Sequence, residues 1–116
     1  MKRFQKFGDL EQAAIGTENV PVKLLLSHDP SHWRLKALDS NYHMDITFAG
    51  HTHGAQFGIE IPGWRWSPVN LRYKQWGGIY KKKKQILNVN TGIGFIGFPG
   101  RIGMPPEVGL ITLKKA

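Results

Sequence analysis

The chain contains no cysteine. That absence excludes disulfides, thiolate zinc sites and cysteine nucleophiles together. No apolar run approaches the ~20 residues that a membrane-spanning helix needs. The basic start, Met1 to Lys6, leads into Gly8-Asp9 and not into an apolar segment, so it does not read as a secretory signal. Acidic residues are scarce: 8 Asp and Glu stand against 16 Lys and Arg, for a formal net charge of +8. Such a balance suits nucleic acid, anionic lipid or phosphorylated ligands. Part of it is local, because Lys81 to Lys84 form one run that reads as a solvated hairpin tip. What is present is ordinary for a folded domain. Hydrophobic residues make up 41% of 116 positions, enough to build one small core.

Turn and cap residues divide the chain. Asp9 to Ile15 reads as a short helix ending at Gly16. Val22 to Leu26 is an apolar run, read as a buried strand. Asp29-Pro30 is a helix start, with Asp29 as N-cap and Pro30 at the first helical position, and the helix is predicted to run from Pro30 to about Leu38. Asp45 to Ala49 is the next strand. Strand, helix, strand over this distance predicts a βαβ unit with parallel neighbours. Ile61 to Pro68 reads as an irregular aromatic loop. Trp76 to Tyr80 and Gln85 to Asn90 read as two strands around the lysine turn. Glu107 to Leu113 reads as a closing strand. No internal repeat or low-complexity linker is seen.

The chemistry gathers on histidine. His51 and His53 lie one residue apart, flanked by Gly50 and Gly54, directly after a predicted strand. His28 follows the strand before it. Ligand sites collect beyond the carboxyl edge of a parallel sheet, so these three imidazoles are expected to converge. Neutral imidazole is a common ligand for borderline divalent metals, and the glycines permit backbone angles that larger residues resist. A metal site is therefore the leading reading, ahead of three ordinary loop histidines. His32 and His43 read as surface or supporting residues. Aromatic residues interleaved with lysines also fit a single-stranded nucleic-acid groove, but a core needs those aromatics first, so nucleic acid is the disfavoured partner. Trp64-Arg65-Trp66 and Gly94 to Arg101 fit either a membrane surface or a small core of their own.

At Ser27-His28-Asp29-Pro30 and Gly50-His51-Thr52-His53-Gly54 the chain resembles the C-terminal half of a calcineurin-like metallophosphoesterase. The bacterial branch it is most similar to often carries membrane helices ahead of the catalytic domain. The likeness continues through Phe57-Gly58, Asn88-Val89-Asn90-Thr91-Gly92 and Pro106-Glu107. It implies an α/β fold in which two sheets form a sandwich flanked by helices, with residues 1–116 as the C-terminal part of that domain. It implies two divalent metal ions, manganese, iron or zinc, with His28 and His51 as ligands of one and His53 of the other. Two metals ~4 Å apart can bind phosphate oxygens, lower the pKa of a bridging water and stabilise an in-line transition state. The implied activity is hydrolysis of a phosphoester or pyrophosphate bond. The implied substrate is a phosphorylated small molecule or a lipid-linked pyrophosphate. Asp29 would orient His28 or cap the following helix, and Arg101 would help hold substrate phosphate.

Two departures from the family pattern stand out. Ala55 occupies a position where relatives usually have a second glycine, which is tolerable if its φ is not positive. The Asp-x-His and Gly-Asn-His motifs that carry the family's ligands and its leaving-group acid do not occur here, and Gly8-Asp9, with no strand before it, reads as too near the start to be the family's bridging aspartate. The catalytic residues are therefore expected in an N-terminal half, which would also be the chain's partner. The parent protein is expected at the bacterial inner membrane, and the isolated chain is expected to be inactive. The alternative is a catalytically inactive metal-binding or membrane-surface accessory domain.

Overall fold

The structure, a computed structural model, describes residues 8–115. The basic stretch Met1 to Lys6 lies outside the described residues. Helix α1 spans Leu10–Ala14, with Asp9 as N-cap accepting from the Gln12 N–H. Strand β1 (Leu24–Leu26) pairs in parallel with β2 (Ile46–Ala49). Between them run helix α2 (Ser31–Leu35) and a 3₁₀ turn, Ala37–Asp39. A hairpin of β3 (Ile59–Ile61) and β4 (Trp64–Trp66) forms a separate two-stranded sheet. A second hairpin, β5 (Gly78–Lys82) and β6 (Gln85–Val89), joins the main sheet in the order β1-β2-β6-β5. β6 runs parallel to β2 and antiparallel to β5, so the sheet is mixed. The chain is a small α/β fold, and the expected βαβ unit and lysine-turn hairpin are both present.

The register fixes which side chains meet. Leu25, Thr47, Leu87 and Tyr80 share one face. Against that face pack Trp33 from α2 and Ala37 and Leu38 from the 3₁₀ turn, with Ala49 and Val89 completing the cluster. Leu24, Leu26, Ile46, Phe48 and Ile86 alternate to the opposite face, as the two-residue period requires. There Leu26 remains 83% exposed, because no described helix covers that side, so β1 is not the buried strand that its apolar run predicts.

Four further expectations need correction. The helix read from Pro30 to Leu38 breaks at Lys36, whose φ and ψ are −136° and −56°. The 3₁₀ turn after this break buries Ala37 and Leu38. The helix start is shifted by one residue: Pro30 takes the cap position, and the Asp29 carboxylate accepts from the Ser31 N–H at 2.8 Å. Ile61 to Pro68 is no irregular loop. Pro62-Gly63 is the tip of the β3–β4 hairpin, with Gly63 at φ +82°, as a turn of the Pro-Gly type demands. Glu107 to Leu113 pairs with no strand among the described residues, and Val108 and Leu110 stay exposed. No helix among the described residues is long and apolar enough to cross a membrane.

Candidate metal centre

Three parallel strands end at one edge of the sheet, and the residues after each strand meet there. The Ser27 N–H donates to the Phe48 carbonyl and the Gly50 N–H to the His28 carbonyl, so the β1 and β2 exits stay paired past the strands. The His28 and His51 rings lie with centroids 4.2 Å apart, tilted by 47°. Tyr73 stands edge-on to His51 at 6.1 Å. Both imidazoles are exposed at the edge, as a ligand site requires.

The turn that carries the histidine pair is left-handed. His51 has φ +68°, and His53, Gly54, Ala55 and Gln56 follow at +50°, +57°, +52° and +55°. Such a run is costly for residues other than glycine, and strain of this kind gathers at functional sites. Ala55 thus sits at the positive φ under which its methyl carries a cost. Side-chain bonds hold the turn. Thr52, buried between the two histidines, donates to the Trp76 carbonyl at 2.7 Å and accepts from the Gly54 N–H. Ser67 donates to the Gly54 carbonyl at 2.7 Å. Met104 packs where a Gly54 Cβ would stand, so any side chain there would have to displace it.

Gln56 ends the turn and fastens the loop that follows β6. Its amide donates to the Phe98 and Gly100 carbonyls, both at 2.6 Å, and its Oε1 accepts from the Ile96 N–H. This brings the glycine-rich loop to the histidines: Gly94 comes so close to His53 that a Cβ on it would lie 3.9 Å from the imidazole Cε1. Arg101 braces the same loop. Its guanidinium donates to the Thr91 carbonyl at 2.7 Å and to the Gly94 carbonyl at 2.9 Å. Asp29 bonds the Ser31 N–H, and His32 lies 3.0 Å from the Ser27 hydroxyl. His43 lies away from this edge, 3.4 Å from the Asp45 carboxylate. Gln56 and Tyr73 escape a reading of the sequence, since each earns its place through contacts distant along the chain.

At His51 the electrostatics favour neutral imidazole. Partial loss of hydration at the edge lowers the pKa of His51, and His28 beside it, His53 and Arg72 lower it further, while Asp29 opposes them. A neutral ring keeps a nitrogen lone pair free for a metal. His53 Nδ1 is buried and has no hydrogen-bond partner among the described residues, as a ring nitrogen awaiting a ligand would be. Among the described residues, however, no group of three or more histidine, aspartate or glutamate side chains is gathered closely enough to hold a metal ion. His28, His51 and His53 thus bring imidazoles to one edge without the further donors that a metal centre needs.

A transmembrane protein with metallophosphoesterase domain from Danio rerio is 30% identical over 119 aligned residues covering 100% of this chain. The uncharacterized metallophosphoesterase YkuE of Bacillus subtilis (strain 168) is 33% identical over 78% of it. An uncharacterized metallophosphoesterase of Helicobacter pylori (strain J99) is 26% identical over 90%. The chain belongs to the metallophosphoesterases. It spans 26%, 30% and 27% of the lengths of these three metallophosphoesterases, within their C-terminal parts. No protein-family model matches the chain, and no solved structure does.

Proposed function

We propose that the chain supplies the histidine side of a dinuclear metal centre that hydrolyses a phosphoester or pyrophosphate bond. The observation that carries this reading is the meeting of His28 and His51 at 4.2 Å beyond two adjacent parallel strands, beside a strained turn that holds His53. His28 and His51 would hold one divalent ion, of manganese, iron or zinc, and His53 the other. The metals, when bound, would act as Lewis acids on the phosphoryl group. This chain's own part is to hold imidazole nitrogens in place, with Thr52, Ser67 and Gln56 fixing the turn and the loop above it.

The carboxylate ligands and the leaving-group acid would come from the remainder of a metallophosphoesterase domain. That remainder would also lay a second sheet on the exposed face that carries Leu26 and Phe48. Three imidazoles without a bridging carboxylate should hold one metal loosely. The chain alone is therefore expected to show little turnover, and the substrate would be a phosphorylated small molecule or a lipid-linked pyrophosphate. Asp29, bonded to the start of α2, and Arg101, bonded to the loop, would support the site without touching substrate.

The test is metal content by elemental analysis after loading with manganese, iron or zinc. His28→Ala and His51→Gly are the variants, glycine being chosen because His51 has a positive φ. Metal retained by the parent chain and lost in both variants is the expected result. Equal metal in all three proteins would sink the assignment.

A further inference from the structure

A small basic pocket lies beside the histidines and takes no part in the scheme above. It has a volume of about 150 Å³ and is lined by Arg34, Arg72, Lys74, Ser31, Asn70 and Tyr73, among others, with no carboxylate in its wall. One contact ties it to the metal centre: Tyr73 lines the pocket and meets the His51 ring edge-on. None of the three cations makes an ion pair among the described residues. Arg72 lies 5.8 Å from the Tyr73 ring, a contact that leaves its donors free.

Size limits the occupant. Pockets that enclose a whole small molecule run to roughly 300–1,000 Å³, and a water's share of liquid volume is about 30 Å³. A space of 150 Å³ admits one compact group and not a nucleoside or a sugar ring. Two guanidiniums, an ammonium and neutral hydroxyl and amide groups match an oxyanion with several acceptor oxygens.

We propose that this pocket is a subsite for a second phosphate-type group of the substrate, adjacent to the phosphoryl group that is attacked. The inference rests on the hydrolase reading and narrows it: the substrate carries two phosphate-type groups, as a pyrophosphate does. Arg34, on α2, and Arg72, after the Pro68–Leu71 turn, both line the pocket and hold the second group.

The experiment uses the metal-stripped chain and inorganic pyrophosphate, titrated by calorimetry. Binding should weaken about tenfold in Arg72→Gln and again in Lys74→Gln, the loss expected for a hydrogen bond to a charged group. Lys82→Gln, on the distant hairpin, should leave it unchanged. Partition onto phosphatidylglycerol vesicles should not respond to either pocket variant, which separates a substrate phosphate from a lipid headgroup. Absence of pyrophosphate binding overturns the proposal. So does an equal loss in Lys82→Gln, or an effect of the pocket variants on vesicles alone. Metal retention by His28 and His51 is read without pyrophosphate. If that fails while pyrophosphate still binds at Arg72, the hydrolase reading falls and the anion pocket stands. The reverse result removes the subsite alone.

Discussion

Replacing Ala55 with glycine should stabilise the protein. Ala55 has φ +52° and its side chain is exposed, so removal of the methyl gives up no packing. An L-residue held in the left-handed region costs about 1–2 kcal/mol. Glycine relieves that cost but loses about 0.5–1 kcal/mol through its freer unfolded chain. The net gain is about 0.5–1 kcal/mol. Urea unfolding is the assay, followed by the fluorescence of buried Trp33 and Trp76. With a slope of about 1–2 kcal/mol per molar, the midpoint should rise by about 0.5 M with the slope unchanged. Gly54→Ala, one residue earlier, must do the opposite. Its Cβ would lie 2.8 Å from Met104 Cγ, so an overpacking cost of about 1–3 kcal/mol adds to the cost of its backbone angle. A lower midpoint for Ala55→Gly, or no penalty for Gly54→Ala, would refute the left-handed turn and with it the directions assigned to both neighbouring histidines.

Thr47 is fully buried in the central strand with no partner for its hydroxyl among the described residues, so Thr47→Val should raise stability by about 1 kcal/mol in the same unfolding assay. Gln56→Ala removes the bonds to Ile96, Phe98 and Gly100, so the loop should open and trypsin should cut after Arg101 at least several-fold faster than in the parent chain, with the other cleavages unchanged. The Asp39 carboxyl is held below the ordinary aspartate range by its hydrogen bond to Lys83 and by that ammonium's charge. In Lys83→Ala an NMR titration should show Asp39 moving back up. Because the folded pKa is the lowered one, the pair helps above the unfolded aspartate pKa, and that help fades as pH falls through the folded value. The pair is exposed, so the midpoint of unfolding should barely move.

Local signals carried the strands and the histidine edge. Apolar runs bounded by Ser27-His28-Asp29-Pro30 and Gly50 mark β1 and β2 and place His28 and His51 at one end of them. The lysine run marks its own turn, and Lys83 and Lys84 both take the positive φ of a two-residue hairpin tip. Pro62-Gly63 shows the limit of such signals. The same dipeptide punctuates loops and hairpin tips alike, and only the pairing of Ile61 with Trp64 decides between them. Val108 to Leu113 has the alternation of a strand but no described neighbour to pair with, so the local pattern alone points to a strand that does not form. Gln56 was invisible for another reason: its partners lie 42 and 44 residues away, and nothing in the local pattern points to them. The basic pocket likewise joins α2 to residues 70–75, a juxtaposition that only the folded chain provides.

The described structure measures 45 × 44 × 21 Å. A sheet and one helical layer, each about 10 Å deep, account for the short dimension. Ile46, Phe48 and Ile86 therefore have a neighbouring layer on one side of their strands only. In such a slab, the amides of β2 and β6 are protected from exchange with solvent by a single layer. Detaching α2 and the 3₁₀ turn bares both strands at once, with no second layer to restrain the opening. Whatever comes to rest on the opposite face will lengthen the lifetimes of those amides, though it touches none of the residues that pack against Trp33.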